Sequence, residues 1–349
     1  MAWRLTEELL RPDSTTTFPV IVHEVSSGRV VLSTDPDTIA PLTLGLTWPD
    51  GNAVLGPDVV VDGDRVSRSV VRVTAGDLRA GLYAYIDTDV YDGDPLTTRG
   101  LPFDPVVVTA ALGGFPAWRI TPTQPGGGWI IAVHGRGASR CEALRIAPTL
   151  AGVGATTLVV TYRNDRGAPA SPDHRGHLGD TEWQDIVAAL EYARAAGATR
   201  IVLYCWSMGA TVALAALRRT RPEVAESVCG LVLDSPLLDW RATLEAHAAT
   251  RAVPPAVVRG CERLLRIRAR TDLKRIAHIT YLNALMMPVL MFVDTRDDLV
   301  PPHVALDYAA KRSDVVTSVT TAAGHGRSWN SDPRRYESEV AEFLLRVIG

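Results

Sequence analysis

The sequence predicts an α/β protein: a mostly parallel sheet with helices on both faces, preceded by a small β-rich part. Three observations predict it. After about residue 100, continuous aliphatic runs alternate with helical stretches, as strands buried on both faces of a parallel sheet require. Before that point, short β-branched runs are separated by Asp-Pro, Pro-Asp-Gly and Asp-Gly-Asp turn signals. One of the later apolar runs passes straight into a small-residue turn and a helix, with no linker between them.

In the N-terminal part the strand-like runs are Pro19 to His23, Arg29 to Leu32, Leu42 to Leu46 and Val66 to Val73. Their spacing predicts a small antiparallel sheet or sandwich over residues 1–100, closed by a connector from Tyr91 to Pro102. Residues 101–349 then read as the larger unit. Its strands are expected at Val106–Val108, Trp129–Val133, Thr157–Thr161, Ile201–Cys205, Gly230–Leu233, Val289–Val293 and Val315–Val319. The first two are expected to pair as a hairpin turned at Gln124 to Gly128. Helices are expected at Cys141–Leu150, Thr181–Ala196, Met208–Arg219, Val304–Lys311 and Arg334–Val347, with a longer helical region from Trp240 to about Arg275.

Composition narrows the function classes. The chain has 349 residues, 46% hydrophobic and 21% charged, enough to bury a core. Its formal net charge of -3 gives no basic surplus for nucleic acid. No run approaches a membrane span, and the N-terminus has acids where a signal peptide needs an apolar run. Cys141, Cys205, Cys229 and Cys261 are scattered without paired spacing, which speaks for reduced thiols in the cytoplasm and against a zinc site. No metal or cofactor is expected. All the basic residues but Lys274 and Lys311 are arginine.

The strongest chemical signal is the run Ile201 to Ala210, where an apolar strand ends in Trp206-Ser207-Met208-Gly209 and a helix follows. A serine on a tight strand-to-helix turn is exposed as a nucleophile, and the turn needs small residues two before and two after it. Gly209 supplies the second and Cys205 stands at the first. The bland alternative is a serine that merely caps the helix. A second apolar strand ends in His134-Gly135-Arg136-Gly137. A tetrahedral intermediate needs preorganised N–H donors, and the amides of Met208 and Arg136 are the candidates. His134 reads as a structural brace of this loop. Arg136, through its guanidinium, and Trp206 are the candidate substrate-binding side chains.

A third strand ends in Asp294-Thr295-Arg296-Asp297-Asp298-Leu299-Val300-Pro301. A catalytic histidine needs a carboxylate to fix its tautomer, and three compete here. Asp297, four residues before Pro301, is ranked ahead of Asp298 and Asp294. The last strand ends in Gly324-His325-Gly326, a loop able to carry a ring back to Ser207. Ser207, Asp297 and His325 thus stand in the order Ser, Asp, His.

These motifs together resemble the α/β-hydrolases, over about Val106 to Gly349. The branch containing serine-peptidase-like and esterase-like hydrolases is similar, and Tyr162-Arg163-Asn164-Asp165 and Thr181 to Asp185 add to the likeness. The resemblance implies acyl transfer without a cofactor and a helical cap inserted at about 239–285. It implies no particular substrate. The arginines of the cap segment, Arg259, Arg263, Arg266, Arg268 and Arg270, read as a solvated face or as a site of attraction for an anionic substrate. The expected activity is hydrolysis of a carboxylic ester through an acyl-enzyme. Peptide or amide cleavage, thioester cleavage and acyl transfer from acyl-CoA stand as alternatives, as do a lyase and a non-catalytic binding module. The expected partner is a small-molecule acyl substrate; a homodimer through the N-terminal domain or the cap is left open.

Overall fold

The computed structural model describes residues 1–12, 16–124 and 126–349. The chain begins with a helix that the sequence reading did not anticipate, α1 (Ala2–Leu10). Six antiparallel strands follow: β1 (Val20–Ser26), β2 (Arg29–Ser33), β3 (Leu44–Trp48), β4 (Gly51–Asp62), β5 (Arg65–Ala75) and β6 (Tyr83–Asp87). They close into a barrel in the order β1-β2-β5-β4-β3-β6, with Val20 of β1 paired to Ala84 of β6. The sequence reading expected an open sheet or sandwich. Closure removes both edges and gives Val22, Val30, Leu32, Leu46, Trp48 and Leu55 a common interior. The β4 strand escaped notice because Gly56 and Pro57 interrupt it; the register shifts there, between Leu55 and Val59. Within the connector, Asp94 caps a short helix, α2 (Pro95–Arg99).

The larger sheet is built from β7 (Asp104–Ala110), β8 (Gly113–Ile120), β9 (Gly128–Val133), α3 (Ala147–Gly152), β10 (Thr156–Val160), α4 (Trp183–Ala195), β11 (Arg200–Trp206), α5 (Met208–Arg219), α6 (Pro222–Ala225) and β12 (Val228–Asp234). Then come α7 (Trp240–Thr250), α8 (Pro255–Arg268), β13 (Val289–Asp294), α9 (Pro302–Lys311), β14 (Val316–Thr321), α10 (Ser328–Ser331) and α11 (Pro333–Ile348). The strand order is β14-β13-β12-β11-β9-β10-β8-β7. From β14 to β10 every pairing is parallel; β8 and β7 are antiparallel additions at one edge.

The hairpin expectation is corrected here. β7 pairs with β8 through the turn at Ala111 and Leu112, and β9 pairs with β10 and β11. The segment 124–128 only joins β8 to β9, and its Pro125 lies outside the described residues. Gly113, Gly114 and Pro116 disguised β8; they lie in the half of the strand that pairs with β7 alone, since β10 pairs only with Ala117–Ile120.

Side chains alternate across the sheet. On β11, Ile201, Leu203 and Cys205 enter the core shared with α4, α5 and α9. Val202, Tyr204 and Trp206 enter the core shared with α3 and α11. The long helical region expected after Trp240 is split by Pro254-Pro255 into α7 and α8.

Candidate active site

The nucleophile candidate sits where β11 meets α5. Ser207 has φ 47°, a left-handed conformation that a non-glycine residue adopts only when its surroundings enforce it. Its N–H donates to the Asp234 carbonyl at 2.9 Å, and its own carbonyl accepts the Leu237 N–H at 3.1 Å. The small residues serve close packing. A Cβ on Gly209 would come within 2.3 Å of the Val133 carbonyl oxygen, and one on Gly135 within 3.2 Å of the Ser207 Cβ. Cys205 is fully buried at the strand end, where burial pushes its thiol pKa far up. It is therefore a packing residue and no second nucleophile.

His325 reaches back from the loop after β14. Its Nε2 lies 2.8 Å from Ser207 Oγ and its Nδ1 lies 2.6 Å from Asp297 Oδ2. The other Asp297 oxygen accepts the N–H groups of Leu299 and Val300 at 2.9 and 2.7 Å. Burial disfavours the His325 imidazolium, but the hydrogen bond and charge of Asp297 outweigh it, and the net pKa is raised. Of the other two carboxylates, Asp298 is exposed, and Asp294 is spent on Thr321 Oγ1 and on the N–H groups of Ala323 and Arg296. The next residue of the histidine loop is also held. Gly326 N–H donates to Ser235 Oγ at 3.0 Å, and Ser235 in turn donates to Asp234 at 3.1 Å.

The loop after β9 is clamped on both sides of Gly135. Its N–H donates to Glu142 Oε2 at 2.7 Å. Its carbonyl accepts from Tyr162 Oη at 3.0 Å and faces His134 Nδ1 at 2.8 Å. The peptide joining Gly135 to Arg136 is trans, so fixing this carbonyl aims the Arg136 N–H the opposite way. Met208 opens α5, and its N–H is one of those a helix start leaves without an intrahelical partner.

His134 itself stacks on Tyr162, with ring centroids 4.4 Å apart, and its Nε2 lies 2.8 Å from Asp165 Oδ2. Burial works against its charge, yet Asp165 prevails and raises the pKa to about 9. Burial and the nearby Asp89 carboxylate push Glu142 the other way for an acid, up to about 7.

The two side chains read as substrate-binding are placed otherwise. Trp206 is buried against Tyr204 on the α3 and α11 face of the sheet and lines neither cavity that contains Ser207. Alternation along β11 puts it there. The Arg136 guanidinium donates to the carbonyls of Glu8, Leu9 and Arg11, at 2.6, 3.2 and 3.4 Å, and so caps the C-terminal end of α1.

Ser207 and His325 lie at the junction of two cavities. One, of about 310 Å³, is bounded by α1, α7 and α8 and is mostly apolar. The other, of about 580 Å³, lies between the barrel and the loop after β9 and carries Asp35, Asp37, Asp87 and Asp89. Most of the arginines on α8 face solvent; Arg268 instead pairs with Glu7 at 2.6 Å. Among the described residues no group of three or more His, Cys, Asp or Glu side chains could hold a metal, and no helix is long and apolar enough to cross a membrane.

The sequence reading missed the residue that joins these parts. Arg145, only 2% exposed, donates to the carbonyls of Thr88 in the barrel and Gly326 in the histidine loop, at 3.2 and 2.9 Å. It also bonds Asn330 Oδ1 at 2.9 Å and lies 3.4 Å from Glu142. Asn330 returns to the barrel through the carbonyls of Thr43 and Thr88.

Residues 124–278 match a family model described as serine aminopeptidase, S33, and residues 21–87 match one described as a domain of unknown function. Solved structures share the fold at low identity. An esterase of Pyrococcus furiosus, Pf2001, matches at 21% identity and a TM-score of 0.59, covering 74% of this chain and 96% of its own. The esterase Est2 of Thermogutta terrifontis, with butyrate bound, matches at 18% identity and a TM-score of 0.53, covering 71% of this chain and 95% of its own. An esterase/lipase from an uncultured bacterium matches at 19% identity and a TM-score of 0.52, covering 70% of this chain and 85% of its own. No curated protein matches the chain.

Proposed function

The chain has the α/β-hydrolase fold, and from that premise we propose that it is a serine hydrolase acting on carboxylic esters. The observation that carries the reading is the continuous hydrogen-bonded line from Ser207 Oγ through His325 to Asp297, at 2.8 and 2.6 Å, on a positive-φ turn beside an apolar cavity. Ser207 Oγ attacks the ester carbonyl carbon while His325 Nε2 takes its proton. Asp297 holds the Nδ1–H tautomer and stabilises the imidazolium. The oxyanion is met by the N–H groups of Met208 and Arg136. His325 then protonates the leaving alkoxide as the C–O bond breaks. Water, deprotonated by His325, attacks the acyl-enzyme and releases the carboxylic acid.

The esterases that share the fold, one of them holding butyrate, favour an ester. Amide cleavage is a second reading, favoured by the description of the matched family as a serine aminopeptidase. The four cysteines, all free thiols, fit a reducing cytoplasm. The test is incubation of the whole chain with a fluorophosphonate, peptide mapping, and parallel assays on p-nitrophenyl esters and aminoacyl anilides. An adduct on Ser207 with ester turnover supports the first reading; preferential anilide cleavage moves the assignment to the second. A folded protein that forms no adduct and turns over neither substrate overturns both.

A further inference from the structure

The helix α1 precedes the barrel in sequence but does not pack on it. It lies instead along α8 and over the catalytic cavity. Thr6 Oγ1 donates to Cys261 Sγ at 3.3 Å, and Glu7 pairs with Arg268 at 2.6 Å. The Arg268 guanidinium also covers the Trp3 ring, 3.8 Å from its centroid. Leu10, 1% exposed, is buried in the core of the larger domain, and its carbonyl accepts the Gly176 N–H at 2.9 Å. At its C-terminal end, three backbone carbonyls are held by Arg136, the residue that follows His134-Gly135. The helix is therefore bound to the cap on one side and to the oxyanion loop at its end.

Leu5 and Leu9 stand one turn apart on the same face of α1. Both line the 310 Å³ cavity that ends at Ser207 and His325. The opposite wall comes from Trp240 and Leu244 of α7 and from Val258 and Cys261 of α8. The charged groups bordering this space are of mixed sign, and the walls between them are apolar. The Arg136 guanidinium donates to backbone carbonyls, Glu8 adds a carboxylate to the lining and Arg251 a guanidinium. The helix lies outside both segments matched by family models, 21–87 and 124–278.

We infer that α1 is a wall of the acyl pocket and that Leu5 and Leu9 set the size of the uncharged, apolar acyl group the enzyme accepts. The inference rests on the serine-hydrolase reading of Ser207 and deepens it, because it assigns the cap-side cavity to the acyl group and the barrel-side cavity to the leaving group. A clash or void of one methylene in an apolar pocket changes discrimination by about tenfold or more. Substituting either leucine therefore alters which ester is preferred, more than whether chemistry occurs.

The test compares the full-length chain with Leu9→Trp, Leu5→Trp, Leu9→Ala and Leu5→Ala on p-nitrophenyl acetate, butyrate, octanoate and dodecanoate. Arg4→Ala, on the exposed face of α1, is the control. Labelling of Ser207 by a small fluorophosphonate reports whether each protein is folded and its nucleophile active. The expected result is a fall of at least about tenfold in the ratio of kcat/KM for octanoate over acetate in the Trp variants. The Ala variants should move the optimum toward longer chains, with Arg4→Ala matching the parent. If the Trp variants do not fold, the Ala variants decide alone. An unchanged chain-length profile in variants that still label Ser207 overturns the role of α1 and leaves the hydrolase reading intact. A parent chain that does not label at Ser207 overturns the hydrolase reading, and this inference with it.

Discussion

The imidazole of His134 and the carboxylate of Asp165 meet at 2.8 Å, while the other ring nitrogen of His134 faces the Gly135 carbonyl at the same distance. Both neighbours accept hydrogen bonds, so the ring satisfies both only when it carries two protons. The charged ring then fixes the Gly135 carbonyl and, through the trans peptide, the direction of the Arg136 N–H. On the proposed mechanism, His134 thereby positions the Arg136 N–H as an oxyanion donor.

Replacing His134 with Leu removes both donors and leaves the Asp165 carboxylate with the Tyr162 N–H alone of these two partners. Loss of the aligned Arg136 N–H should lower kcat by about a hundredfold with a smaller change in KM, since an oxyanion donor acts mainly in the transition state. Steady-state kinetics across an ester series checks this; an equal loss spread over kcat and KM would point to general misfolding instead.

The same group predicts an alkaline limit. With a folded pKa of about 9, above the ordinary 6.5, His134 is charged through neutral pH. Its contribution to stability is complete below pH 6.5 and is lost as pH rises through 9. Thermal melts and kcat should both decline in that range, and the stability decline attributable to this group should vanish in His134→Leu.

For the acid limb, His325 must be neutral to accept the Ser207 proton. Its pKa is raised because Asp297 overcomes the effect of burial, so kcat/KM should fall as pH drops through a value above 6.5. Asp297→Asn should move this limb to lower pH and reduce kcat by about ten-thousandfold. Asp298→Asn, at an exposed position, should do neither. Ser207→Ala should bring turnover down by about a millionfold without lowering the melting temperature.

Arg145 offers a stability test. Its guanidinium is buried among Glu142, Asp89 and the carbonyls of Thr88 and Gly326. Arg145→Met keeps much of the volume but leaves buried acids uncompensated, which costs about 3–5 kcal/mol when one partner of such a group is removed. Denaturant unfolding measures it. The substitution should also slow fluorophosphonate labelling, because Gly326 adjoins His325.

The site was legible in the sequence to the extent that each residue ends a parallel strand. Ser207, Asp297 and His325 follow the ends of β11, β13 and β14, and the parallel sheet, with β12 between the first two, brings those ends to the same edge. The preference for Asp297 over Asp294 and Asp298 rested on Val300-Pro301, and in that turn the Asp297 carboxylate accepts the N–H groups of Leu299 and Val300. Other features are tertiary. Alternation along β1 to β6 reveals which face is buried but not that β6 returns to β1. Arg145 was invisible because arginine supplies nearly every basic residue, so one buried guanidinium has no contrast in the sequence. Trp206 was misread because its distance along the chain from Ser207 is small, whereas the pleat sends it to the opposite face.

The bonds from Asn330 to Thr43 and Thr88 have a consequence in time. Barrel residues 20–87 emerge from the ribosome long before the segment that carries His325. Domains fold as units, N-terminal first, during synthesis. The barrel thus waits as a preformed mould for the last strand and loop to arrive. Until residues 325–330 dock against it, the His325 ring is not in place beside Ser207, and on the proposed mechanism the nascent chain has no assembled site.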